Sequence, residues 1–181
     1  QVGTVLPLAP ESYYLALISG PEPQRSIFEK KILSTMQGLE LPLVLVRGLP
    51  GQARQDDLPE NLVVYNHADP GLLASLLRGA AAVVCRAGYS TVMDLAGLGK
   101  KALLVPTPGQ TEQEYLAGYL SGRGYFPTMN QEGFSMVKAT DILRLHQGNA
   151  PSLDFTQYRR FLESLTPQPG APPHLFTRSP D

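Results

Sequence analysis

The chain has 181 residues, a formal net charge of −1, 43% hydrophobic residues and 17% charged residues. This balance belongs to a globular protein with room for one buried core, and it argues against a disordered chain or a nucleic-acid partner. No apolar run approaches the roughly 20 residues that span a bilayer, and the lone cysteine, Cys85, points to a reducing, cytoplasmic setting.

Residues 1–11 carry Pro7 and Pro10 and read as an entry linker. The apolar run at 13–19 predicts a strand, stopped by Gly20 and Pro21. Pro23 stands where a first helical turn tolerates proline. Ile27, Phe28, Ile32, Leu33, Met36 and Leu39 then recur at helical spacing. Strands are predicted at 43–46 and 62–65, with a polar loop between them, and Leu72, Leu73, Leu76 and Leu77 mark a short helix. A fourth strand at 81–85 precedes a helix marked by Val92, Leu95, Ala96 and Leu98, with Gly99 as its stop. A fifth strand at 102–105 leads through a Pro-Thr-Pro-Gly-Gln loop to a helix beginning at Thr111 or Glu112. Residues 125–127 predict a short edge strand, and amphipathic segments follow at 134–145 and 155–165. Residues 166–181, with Pro167, Pro169, Pro172 and Pro173, read as a Pro-rich tail.

Short apolar strands alternating with helices predict an α/β fold, a Rossmann-like parallel sheet with helices on both faces, over residues 12–165. Such sheets bind ligands beyond the C-terminal ends of their strands. The loops to watch are therefore 20–25, 48–52, 66–70, 86–90 and 106–113. They hold neither G-x-G-x-x-G nor G-x-x-x-x-G-K-[ST], which removes the usual dinucleotide and P-loop readings. The adjacent acids Asp56 and Asp57 read as a solvated loop. His67, His146 and His174 are far apart, so no metal site is expected.

The turn Cys85-Arg86-Ala87-Gly88-Tyr89-Ser90-Thr91 joins a buried strand to a helix start. The unpaired N–H groups and positive dipole end of a helix start favour an anion, most naturally a phosphate. Arg86 there is either a phosphate contact or half of a structural ion pair. Thr91-x-x-Asp94 fits a capping box worth about 1 kcal/mol, so Asp94 is either a cap or a ligand contact. Cys85 reads as a buried, inert thiol, and His67 first as a loop histidine satisfied by backbone. Arg25 opposes the dipole of its own helix, a mild cost.

Residues 81–126 resemble the C-terminal, donor-binding domain of glycosyltransferase family 28. They match it as strand, C-R-A-G, a hydroxyl-bearing helix start, an acid, a strand ending in Val-Pro, and a glutamine-bearing helix. The resemblance implies the C-terminal half of a two-domain GT-B-type enzyme, inverting and metal-independent, with no cofactor. The donor would be a UDP-sugar, a UDP-N-acetylhexosamine. The acceptor would be a glycan or lipid-linked sugar.

By the same resemblance, Arg86, Gly88, Ser90 and Thr91 would line the diphosphate. Asp94 would stand where the family's ribose-binding acid stands, and Asn66 and His67 in the loop that reads uracil. Gln110, Gln113 and Glu114 would face the sugar, although Glu114 replaces a family glutamine. Gly20, Gln24 and Arg25 would form a stiffened cleft wall. The catalytic base is expected on a missing N-terminal domain, through which the protein would sit peripherally at the inner membrane. The isolated domain should bind UDP weakly and turn nothing over. A UDP-sugar epimerase-like domain, which would need acid–base groups in the cleft, and a non-catalytic Rossmann-like interaction module are the alternatives.

Overall fold

The computed structural model describes residues 12–51 and 58–147. The expected linker, Asp56 and Asp57, the 155–165 segment, His174 and the tail lie outside the described residues. The strands are β1 (Tyr14–Leu17), β2 (Leu43–Val46), β3 (Leu62–Tyr65), β4 (Ala82–Cys85) and β5 (Ala102–Leu104). The helices are α1 (Gln24–Ser34), α2 (Pro70–Gly79), α3 (Tyr89–Gly97), α4 (Thr111–Gly122) and α5 (Met136–Leu145). All strand pairs are parallel, in the order β3-β2-β1-β4-β5. This is the α/β architecture read from the alternation of strands and helices.

Strands that are apolar on both faces can only be satisfied by helices on both sides. Leu15, Val44, Val83 and Leu104 turn to the face covered by α2, α3 and α4, against Leu76, Val92, Leu95 and Leu116. Their neighbours Ala16, Leu45, Val84 and Leu103 turn to the other face, against Phe28 and Ile32 of α1 and Met136 and Leu143 of α5. Each large side chain buried this way contributes about 1.5–3 kcal/mol.

Helix ends are set locally. Asp69 caps α2 by accepting from Leu72 N–H at 2.9 Å, with Pro70 in the first turn. Helix α3 stops at Gly99, whose φ of 62° lets Gly99 N–H reach Ala96 O and Lys100 N–H reach Leu95 O.

The expected edge strand at 125–127 is instead a single bridge between Leu104 and Thr128. The cause lies in the end of α4. Gly124 and Tyr125 spend their N–H groups on Ser121 O and Leu120 O, so pairing with β5 starts only at Pro127 O and Met129 N–H.

In this strand order the chain winds one way from β1 to β3 and the other way through β4 and β5. The exits of β1 and β4 therefore diverge and leave a crevice between them. The β1–α1 and β4–α3 loops flank that crevice.

Candidate functional site

The β4–α3 turn is built on a strand that is buried throughout. Gly88 is the N-cap of α3, in extended conformation, and no side chain caps the helix. Thr91 is therefore the third helical residue, and the expected Thr91–Asp94 capping box does not form. Ser90 and Asp94 are exposed on α3, and no hydrogen bond or ion pair engages the Asp94 side chain among the described residues. An uncapped helix start at the switch point leaves the dipole's positive end open to an anion.

Arg86 is not half of an ion pair among the described residues. It is 1% exposed. Nη1 donates to Val105 O at 3.2 Å and Pro106 O at 3.3 Å. Nη2 donates to Gln24 O at 2.9 Å and to Gln131 Oε1 at 2.5 Å. The Phe28 ring covers the guanidinium, 4.2 Å from Cζ to the ring centroid. It pairs with no carboxylate among the described residues. Burial lowers its pKa to about 10, so it stays protonated at neutral pH. Neighbouring Cys85 is pushed up to about 12 by burial, which keeps its thiol neutral and inert.

Arg25, expected in the cleft wall, is held by acids of its own loop and helix. It is buried, donating to Glu22 Oε1 at 2.6 Å and Glu29 Oε2 at 2.8 Å. Glu22 further accepts from Ser26 N–H at 3.1 Å, which offsets the dipole cost of a cation at this helix start. Gly20 is exposed at the mouth of the same loop, and Gln24 is half-buried within reach of Gln131.

The N-cap and first turn of α4 hold the three expected sugar residues on one short segment. Gln113 Oε1 accepts from Thr107 N–H at 3.0 Å, and its Nε2 donates to Gln110 Oε1. Glu114 Oε1 accepts from Gly109 N–H at 2.9 Å. All three side chains thus brace their own loop, while Glu114 also lines a groove of about 520 Å³ with Pro106, Pro108, Asn130 and Glu132.

Asn66 and His67 lie at the end of β3, the far edge of the sheet. They are three strand spacings from β4, about 14 Å. Helix α2 closes that gap, because it crosses back over the sheet toward β4. Pro70 at its start and Asp94 of α3 line one groove of about 420 Å³, floored by Leu73, Leu77 and Met93. Small-ligand sites usually measure about 300–1,000 Å³, with apolar walls and few polar groups.

The sequence reading missed Gln131, Thr107 and the Glu29–Arg47 pair, whose Oε1–Nε distance is 2.6 Å. The four-residue spacing of Arg25 and Glu29 was a legible signal for part of that network. Gln131 carried none, since it reaches Arg86 across 45 residues of sequence. Among the described residues no three His, Cys, Asp or Glu side chains converge as a metal centre would need.

The model of the glycosyltransferase family 28 C-terminal domain matches residues 51–143, more than half of the chain. The chain belongs to glycosyltransferase family 28.

Among curated relatives, the UDP-N-acetylglucosamine--N-acetylmuramyl-(pentapeptide) pyrophosphoryl-undecaprenol N-acetylglucosamine transferase of Desulforudis audaxviator is 42% identical over 80 residues. That match covers 42% of this chain and 20% of the relative. The enzyme of the same name from Rhizobium rhizogenes is 26% identical over 149 residues, 77% of this chain and 40% of the relative. The chain thus spans less than half the length of these relatives.

Solved structures agree in fold. The glycosyltransferase SnogD from Streptomyces nogalater superposes with a TM-score of 0.58 at 20% identity, over 78% of this chain and 38% of its own. MurG of Acinetobacter baumannii gives a TM-score of 0.52 at 18% identity, over 74% of this chain and 40% of its own. The family match covers α2, α3, α4 and most of α5, and so contains the β4–α3 turn and the α2–α3 groove.

Proposed function

We propose that this domain binds the UDP-sugar donor, a UDP-N-acetylhexosamine, of an inverting and metal-independent glycosyl transfer. The observation that carries the reading is the uncapped α3 N-terminus at the switch point, beside a groove shared by Asp94 and the start of α2. The diphosphate sits on the N–H groups and hydroxyls at Gly88, Ser90 and Thr91. The nucleoside lies along the groove, with the ribose at Asp94 and the base toward Asn66 and His67. The sugar reaches the Gln110–Glu114 loop.

In the reaction an acceptor hydroxyl attacks the anomeric carbon as the bond from that carbon to the diphosphate oxygen breaks. The proton leaves to a base on a preceding domain, and the charge gained by UDP is met by the helix start and the Ser90 hydroxyl. Fixed dipoles of this kind supply transition-state stabilisation without a metal. A lipid-linked acceptor would bring the enzyme to the cytoplasmic membrane surface through that other domain. No described helix is long and apolar enough to cross a membrane.

Calorimetry with UDP on the full chain, with and without EDTA, tests the reading. Binding in the micromolar to millimolar range, unchanged by EDTA and without turnover, is the expected result. A folded sample that binds no UDP at millimolar concentration would overturn it.

A further inference from the structure

Among the described residues, three guanidinium groups line the C-terminal edge of the sheet near the β1/β4 crevice. Two of them meet acids, Arg25 with Glu22 and Glu29, and Arg47 with Glu29. Arg86 is the most deeply buried of the three, and every acceptor it touches among the described residues is neutral. Dipoles orient toward a cation and relieve part of its desolvation, but they leave its unit charge in place. Inside a protein that charge is weakly screened and reaches further than it would in water.

Gln131 decides this arrangement. It is 6% exposed, its Oε1 accepts from Arg86, and its Nε2 donates to Gln24 Oε1 at 2.6 Å. A glutamate here would be nearly isosteric and would give the guanidinium a charged partner, the geometry arginine favours when buried. The amide holds the same position without cancelling the charge.

We propose that Gln131 is a positioning residue that keeps Arg86 as an unneutralised cation at the base of the β4–α3 turn. A buried charge that never touches the ligand then strengthens the turn's hold on an anion. The proposal rests on the reading of that turn as the diphosphate site. It also gives Arg86 an electrostatic role that needs no direct contact with the ligand.

The test compares UDP with uridine, titrated by NMR into the full chain and its variants. Gln131→Glu should lower the ratio of UDP to uridine affinity at least fivefold, leave uridine binding unchanged and keep the melting temperature. Gln131→Met, neutral and of similar size, should lower the melting temperature yet preserve the ratio. Should Gln131→Glu fail to fold, Gln24→Glu places a carboxylate at the adjoining corner of the same cage and should shift the ratio the same way. An unchanged ratio in the glutamate variant, or an equal loss of UDP and uridine binding, overturns the proposal and leaves the diphosphate reading standing. A wild-type chain that binds UDP no better than uridine removes the diphosphate reading, and the role of Gln131 with it.

Discussion

Arg47 Nη1 donates to the Asn66 side-chain carbonyl at 3.1 Å, joining the exits of β2 and β3. The same guanidinium pairs through Nε with Glu29, which pairs with Arg25, which pairs with Glu22. Arg25 also donates to Arg47 O at 3.3 Å. One polar chain therefore runs along the sheet edge from the β1–α1 loop to the loop proposed to read the base. The loops of a Rossmann-like edge are separate in sequence, and here side chains register them against each other.

Glu29 is the centre of that chain, because two guanidinium groups share its carboxylate. Glu29→Gln should destabilise the domain by about 2–3 kcal/mol, since removing one partner of a buried pair leaves its charges uncompensated. Urea denaturation would read the loss. A change below about 0.5 kcal/mol would mean that the network is surface ornament.

Glu22, at the exposed end of the chain, should make stability depend on acid. Hydrogen bonds from Arg25 and Ser26 hold its carboxyl below the ordinary value of 4.5. A carboxyl lowered in the folded state adds stability that is complete above the unfolded value and disappears as pH falls through the folded one. Melting temperatures should thus begin to drop below about pH 4.5. In Glu22→Gln that drop should be shallower, and added salt should shrink the difference, because the pair faces water.

The fold was legible in the sequence because strands such as Leu43–Val46 are short, apolar and bounded by turn residues, and because Ile27, Phe28 and Ile32 keep helical spacing. The β4–α3 turn was legible for the same reason, since a glycine between a buried strand and a hydroxyl-rich helix start is a local pattern. Side-chain destinations were not. Arg86 could be placed at the sheet edge but not turned inward, because its acceptors come from residues 24, 105, 106 and 131. The capping box failed because helix α3 begins at Tyr89, two residues before Thr91, and local sequence does not decide between those starts.

Gly48 should tolerate no side chain. Its φ is +67°, and a Cβ there would sit 2.8 Å from Ile18 O, a backbone atom that cannot swing aside. Gly48→Ala combines left-handed strain with that clash and should cost about 2–4 kcal/mol. It should also weaken UDP binding, because Gly48 lies between Arg47 and Leu49, and both bond to Asn66. Paired denaturation and binding measurements check both parts. A stable variant with intact binding would show that the β2 exit can move independently of the β3 loop.

Asp94 offers the sharpest division between structure and function. It is exposed, makes no cap and lines the α2–α3 groove. Asp94→Ala should leave the melting temperature unchanged, as surface substitutions away from caps and cores usually shift stability by less than about 0.5 kcal/mol. Loss of a hydrogen bond from a ligand to a charged acceptor is worth about 1.5–3 kcal/mol, so UDP affinity should fall by about 10-fold to 150-fold. Asp94→Glu should recover part of that affinity, because the longer carboxylate still reaches a diol across the groove. Inorganic pyrophosphate, which lacks the ribose, should bind wild type and both variants alike. If pyrophosphate binding fell with UDP binding, Asp94 would be acting on the helix start rather than on the sugar ring of the nucleoside, and the ribose assignment would be wrong.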